Sequence, residues 1–272
     1  MRDYKREAIR HWSKDPCGSE TSPAGRYTRQ FFDEVERYRY EVYAPWFKQL
    51  VPFSNYRGKR LLEIGVGMGT DHLQFARDGA QCYGIDLTPT SVDISRRRFK
   101  IYGEKSRLLV TDAENLPFAT ASFDVVYTFG VLHHTPDIRK AADEIFRVLH
   151  PGGEIWVGLY YRYSAFFLIQ TLLVRGILRG QLFKMDYRKF LARIESSRDG
   201  ERREATVLVR LFSKRNLLEV FSRFCDPRIY VRHLFPTMFY PLHRLVSETA
   251  AKKLEPYLGW YIWLHAKKPL YP

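Results

Sequence analysis

The sequence has 272 residues and a formal net charge of +14 at pH 7, enough chain to bury one substantial core. Its three cysteines, Cys17, Cys82 and Cys225, are scattered and show no C-x-x-C spacing, which argues for a reducing interior and against zinc, so no metal is expected. No internal repeat or low-complexity tract stands out, and Met1 to Ile9 is too polar and charged to read as a secretory signal.

In chain order, residues 1–56 read as a helical cap: two or more helices around a turn from Asp15 to Gly25, with aromatic and apolar residues at helical spacing from Arg29 to Tyr43. A core strand is expected from Lys59 to Ile64, running into Gly65-Val66-Gly67-Met68-Gly69-Thr70 and a helix. Further strands are expected at Ala80–Ile85, Ser106–Val110, Phe123–Thr128 and Gly153–Leu159, with the clearest helices at Ser91–Tyr102 and Ile138–Leu149. Strands alternating with helices imply a parallel sheet covered on both faces. The stretch 161–212 then exceeds what a minimal domain needs. Its apolar run, Ser164 to Val174, is broken by Arg175 and Arg179 and is too short to span a bilayer. It reads as a lid helix over a substrate pocket, as an amphipathic segment on a membrane surface, or as an extension of the core. Ser213–Phe224 reads as a helix, and Arg228–Leu234 and Trp260–Ala266 as closing strands.

Five motifs stand in order, separated by helix-length gaps. The first is Glu63-Ile64-Gly65-Val66-Gly67-Met68-Gly69, a turn whose glycines admit a ligand close to the backbone at a helix N-terminus. Thr70 stands where a dinucleotide fingerprint would need its last glycine. A carboxylate at Glu63 suits a ligand with an ammonium group better than a pyrophosphate. The second is Asp86, about as far past the glycines as the acid that meets ribose hydroxyls in β-α-β nucleotide units. The others are Thr111-Asp112-Ala113-Glu114, the strand Phe123–Phe129 running through Gly130 into Val131-Leu132-His133-His134, and His150-Pro151-Gly152-Gly153.

From about Gly58 to Tyr160 these motifs resemble the class I S-adenosylmethionine-dependent methyltransferases, and among them the ubiquinone/menaquinone-methyltransferase-like group. The resemblance implies a Rossmann-like, seven-stranded, mostly parallel sheet with helices on both faces, its last two strands paired antiparallel. With the cap and lid it implies four regions: 1–56, the cofactor-binding core 57–160, the insertion 161–212 and the closing part 213–272. It implies S-adenosyl-L-methionine as cofactor and S-adenosyl-L-homocysteine as product. Glu63, Gly65, Gly67 and Gly69 would hold the methionine part, Asp86 the ribose and Leu87 the adenine face. Asp112 and Ala113 would meet the adenine edge, and Gly130 would close over the methionine carboxylate. Asp86 could instead be a solvated strand end, and Asp112 a helix N-cap.

Methyl transfer asks the protein to orient a nucleophile, exclude water and, for a hydroxyl, take a proton. His133 and His134 stand at the carboxyl edge of the sheet, where such folds place ligands. If the backbone there is extended, only one can face the pocket; otherwise His133 packs beside the cofactor and His134 caps the next helix. Tyr27, Tyr38, Tyr160, Tyr161 and Arg162 are candidate substrate contacts. The basic residues crowd the cap, Arg96-Arg97-Arg98 and the stretch from Arg162 to Arg215, with acids such as Glu195, Asp199 and Glu201 interspersed. A positive field at the pocket mouth would suit an anionic small molecule, an anionic membrane surface or an RNA backbone. The expected activity is cytoplasmic methyl transfer to a small or lipid-like acceptor, with peripheral membrane contact through the lid. An RNA methyltransferase and a non-catalytic cofactor-binding subunit are the alternatives; no RNA-binding module is visible.

Overall fold

A computed structural model describes residues 4–14, 16–195 and 207–271. Residues 196–206 of the lid stretch, including Asp199 and Glu201, lie outside the described residues, as does Asp15.

Three helices open the chain: α1 (Tyr4–Lys14), α2 (Arg29–Arg37) and the short α3 (Phe47–Leu50). Thr28 caps α2 by accepting from the Phe31 N–H, and the helix continues through Tyr38–Tyr43 as a wider turn. The alternating core follows as β1 (Arg60–Ile64), α4 (Thr70–Arg77), β2 (Gln81–Asp86), α5 (Pro89–Tyr102), β3 (Ser106–Val110), β4 (Phe123–Phe129), α6 (Ile138–Val148) and β5 (Leu149–Tyr160). A lid helix (Phe166–Leu178) and α7 (Tyr187–Ala192) precede α8 (Lys214–Val220), β6 (Cys225–Arg232), α9 (Glu248–Leu258) and β7 (Tyr261–Lys267).

The seven strands lie in the order β3-β2-β1-β4-β5-β7-β6. Pairings among the first five are parallel, while β7 runs antiparallel to both β5 and β6. The expected fold is therefore the observed one. Alternate strand residues feed two cores, as the period of two demands. Leu62, Ile64, Val126 and Ile155 meet Ile145 of α6 and Leu217 of α8 on one face. Leu61, Val125, Tyr127, Trp156 and Trp263 meet Phe47, Phe53 and Phe75 on the other. Each fully buried ring or leucine contributes about 1.5–3 kcal/mol, so the cap is anchored by its aromatic residues rather than by its charges.

Three boundaries differ from expectation. The Pro151-Gly152-Gly153 turn does not precede β5 but is absorbed into it, with the register to β4 slipping between Phe123 and Val125. The helix expected at Ser213–Phe224 is shorter because Ser213 is its cap and the chain turns after Val220. Helix α9, between β6 and β7, was not anticipated: it opens on Ser247, which accepts from the Ala250 N–H, and buries Ala251.

The lid helix buries Phe167, Thr171 and Gly176 and sets Phe166 edge-on against Trp260. It leaves Leu173, Ile177 and Leu178 exposed, as are Phe183, Leu242 and Leu245 in the neighbouring turns. Among the described residues, no helix is long and apolar enough to cross a membrane.

Candidate active site

The loop after β1 is bent by left-handed glycines. At Gly65 (φ +80°) a Cβ would come within 2.1 Å of the Val131 side chain, so packing alone demands glycine there. Gly67 (φ +52°) and Gly130 (φ +73°) differ: nothing stands within 4 Å of a Cβ built on either. The two glycines leave open backbone beside the N-terminus of α4, the kind of cradle that a ligand lying against the chain requires.

Asp86 ends β2 directly beneath that loop. One carboxylate oxygen accepts from the Gly67 N–H at 3.0 Å and the other from the Thr88 N–H and hydroxyl, both at 2.9 Å. Burial raises its pKa even so, because these hydrogen bonds only partly offset the lost water. Leu87 is half-buried beside it. Asp112 and Ala113 lie at the far end of β3, where the Asp112 side chain accepts from the Glu114 N–H. Lys5 of α1 reaches across to Asp112 at 2.5 Å and Glu114 at 2.6 Å, tying the first helix to this turn.

Glu63 is buried and directed at His72 (3.1 Å), not into open space. Burial, with Asp71 and Asp86 nearby, pushes the Glu63 carboxyl well up, and burial pushes His72 down to about 3. One direction of hydrogen bonding satisfies this set. A protonated Glu63 donates to His72 Nδ1, His72 Nε2–H donates to Ser106 Oγ at 2.7 Å, and Ser106 donates to the Cys82 carbonyl.

Sequence reasoning missed the ionic centre beside it. Asp71, in the first turn of α4, takes both prongs of the Arg39 guanidinium (3.2 and 2.6 Å) and the hydroxyls of Tyr40 (2.7 Å) and Tyr127 (2.8 Å). Burial opposes the Arg39 charge, but Asp71 outweighs it and keeps the guanidinium protonated. Arg39 also lies over the Phe47 and Phe129 rings, which puts a fixed cation near Gly130. The only sequence signal was Arg39 between Tyr38 and Tyr40 in an amphipathic helix.

His133 and His134 lie in a tight helical turn, Leu132–His134, rather than in extended chain. Their side chains therefore diverge by about a third of a turn and both face inward, with ring centroids 4.0 Å apart. That corrects the expectation that only one could do so, and Asp137, not His134, caps α6. His134 Nδ1 is 2.7 Å from the Leu208 carbonyl, and Trp12 of α1 covers its ring. Tyr160 lies over His133, with ring centroids 3.8 Å apart, and its hydroxyl bonds Glu195. Burial, then the neighbouring His134, pushes His133 well below its ordinary value, so it is neutral.

The other candidates divide. Tyr38 stacks on Tyr43, whose hydroxyl bonds that of Tyr261. Tyr27 packs on Phe31 and Phe32 at the cap. Tyr161 turns to the opposite sheet face, into the core with Phe212, and Arg162 is exposed; neither is brought to the histidines. Cys17 is solvent-accessible yet hemmed in by protein, and that burial, with Glu20 and Glu195 nearby, pushes it up to about 11, so it stays a thiol. A surface concavity of about 1270 Å³ lies at the opposite edge of the sheet, around Lys59, Asp124 and His150–Glu154. It is far from the glycine loop, and none of the residues above lines it.

An open glycine cradle, an acid at the end of β2 and a parallel sheet closed by an antiparallel pair define the class I S-adenosylmethionine-dependent methyltransferase domain. Residues 62–157 match the family model described as a methyltransferase domain, and this core belongs to that family. The chain is 38% identical over 103 residues to a phthiotriol/phenolphthiotriol dimycocerosates methyltransferase of Mycobacterium leprae, covering 37% of each chain. It is 34% identical over 98 residues to a sterol 4-C-methyltransferase of Caenorhabditis elegans, covering 35% of this chain and 29% of that one. The matched core thus spans only 29–37% of the length of these relatives. A solved S-adenosylmethionine-dependent methyltransferase of Methanosarcina mazei shares the fold, with a TM-score of 0.59 and 22% identity over 81% of this chain and 99% of that one. The cofactor of this class is S-adenosylmethionine, and the cradle at Gly67 and Gly130 with Asp86 below it fits that group.

Proposed function

We propose that the chain transfers the methyl group of S-adenosylmethionine to a hydroxyl oxygen of a small, lipid-like acceptor, releasing S-adenosylhomocysteine. The observation that carries this reading is the convergence of the open cradle with the buried pair His133–His134 under Tyr160. The sulfonium supplies an activated methyl group. In this reading Gly67, Gly69 and Gly130 give the cofactor backbone to lie on, and Asp86 accepts from its ribose hydroxyls. Arg39 balances the carboxylate of its methionine part, and Glu63, neutral against His72, would balance the ammonium only once ionised by it. Leu87, Asp112 and Ala113 flank the adenine.

The acceptor hydroxyl would enter between the cap and the lid, beside Tyr160, and be held in line by aromatic walls that exclude water. Its proton would pass to a histidine nitrogen as the carbon–oxygen bond forms. An apolar acceptor is favoured because the lid side exposes Leu173, Ile177, Leu178 and Phe183 among cationic residues, a surface also suited to lipid contact. The lipid-like substrates named for the Mycobacterium and Caenorhabditis relatives point the same way.

The test is transfer of radiolabelled methyl from S-adenosylmethionine into an extract of the source cells, with Asp86→Ala as the blank. Label above the blank in the organic-soluble or small-molecule fraction is the expected result. Label confined to RNA would replace the acceptor, and no label above the blank would contradict the activity.

A further inference from the structure

Three potential ligand atoms meet at the acceptor side of this pocket: one each from His133, His134 and Glu195, all within 4.8 Å of one another. They are short of donors. With its Nδ1–H given to the Leu208 carbonyl, His134 turns the lone pair of Nε2 toward Glu195 Oε1 at 4.0 Å, so two acceptors face each other. Glu195 Oε1 has no hydrogen-bond partner, and its side chain is only 10% exposed. His133 is fully buried, and neither of its ring nitrogens has a partner. Buried polar atoms left in this state cost about 1–3 kcal/mol each, and a proton shared between His134 and Glu195 would still leave His133 unsatisfied.

We propose that His133, His134 and Glu195 bind a single divalent transition-metal ion of the zinc class. Two imidazoles and one carboxylate form a ligand set that such ions accept while keeping a further position open. Metal–ligand bonds of about 2 Å bring donor atoms to roughly 3–3.5 Å from one another, so closure asks the cluster to contract by about 1 Å or a little more. The outer partners that orient metal ligands are also in place: the Leu208 carbonyl fixes the His134 tautomer, and the Tyr160 hydroxyl bonds the Glu195 carboxylate. The site lies under Trp12 and Tyr160. This inference deepens the proposed methyl transfer: an ion there would ligate the acceptor hydroxyl and lower its pKa, the proton being lost to solvent while both histidines serve as ligands in place of a base.

The test uses the full-length chain without a histidine tag, stripped by a chelator and dialysed against zinc, with cobalt(II) titrated separately for its visible absorption. One ion per chain is expected, together with a cobalt spectrum of low coordination number. Glu195→Gln and His133→Ala should each weaken zinc binding at least about ten- to a hundredfold. Calorimetric titration with S-adenosylmethionine serves as the check that each variant is folded. Absence of stoichiometric zinc, or equal zinc affinity in both variants and the parent, would overturn the metal site. S-adenosylmethionine binding by the stripped chain reports separately on the cofactor site and stands or falls on its own.

Discussion

Arg98 shows how far a charged residue can depart from its apparent role. In the run Arg96-Arg97-Arg98 it reads as part of a positive surface, yet its side chain is 0% exposed and bonds Glu36, Thr70 and the Phe32 carbonyl. It joins α2 to α5 behind the cofactor loop, and Arg39 and Lys5 are likewise engaged with acids. Arg98→Ala should cost about 3 kcal/mol, near the lower end for breaking a buried ion pair, because Glu36 keeps Arg77 as a partner. Denaturant unfolding checks this, and a loss under about 1 kcal/mol would mean that the pair contributes little. Glu63→Gln should leave the unfolding midpoint nearly unchanged but weaken S-adenosylmethionine binding by about tenfold, the scale of one charge-assisted hydrogen bond. Unchanged affinity by calorimetry would remove Glu63 from the methionine site. Positions that follow from local chain order, such as Gly67 in the turn after β1 and Asp86 at the end of β2, were legible in the sequence. Glu195 was not: it lies some sixty residues from the histidines it faces, and a search for clustered cysteines says nothing about an imidazole–carboxylate set.

At the scale of elements, the parallel strands were readable because hydrophobic alternation is a local signal, whereas the caps that form were not named. Thr88, Asp137 and Ser213 each accept from a backbone N–H at the start of the next helix. Helix α9 and the lid helix depend instead on each other and on Trp260, contacts that no local pattern announces. Helix α1 packs through Trp12 and Ala8 and is tied further by Lys5. Burial alone would raise the Glu114 carboxyl, but hydrogen bonds from Lys5, Thr135 and the Asp137 N–H hold it below its ordinary value. A carboxyl lowered in this way contributes stability that is fully present above its unfolded pKa near 4.3 and is lost as the pH falls through its folded value. Hydrogen-exchange protection of Tyr4–Lys14 should therefore fall as the pH drops from about 5 toward 3. Protection that does not fall over that range would mean α1 is held by packing alone.

For the molecule as a whole, the sheet brings together residues from every part of the chain. Cap residues Trp12 and Arg39, strand-end residues Asp86, His133 and Tyr160, lid residue Glu195 and closing-strand residue Tyr261 all lie toward the carboxyl edge of the sheet. The glycine turn and the alternation of elements announced the edge at which the glycine cradle and Asp86 stand. They did not announce how the cap closes over the histidines, because that depends on side chains meeting across the whole sequence. The charge of +14 overstates the field at the pocket mouth, since Lys5, Arg39 and Arg98 are all paired with acids. The central claim is that this pocket binds S-adenosylmethionine through the cradle and Asp86. Isothermal titration of the chain and of Asp86→Ala with S-adenosylmethionine tests it most directly. One site in the parent, weakened at least about tenfold in the variant, is the expected result, equivalent to about 1.4 kcal/mol or more. Equal affinity in both, or no binding by the parent, would contradict the account.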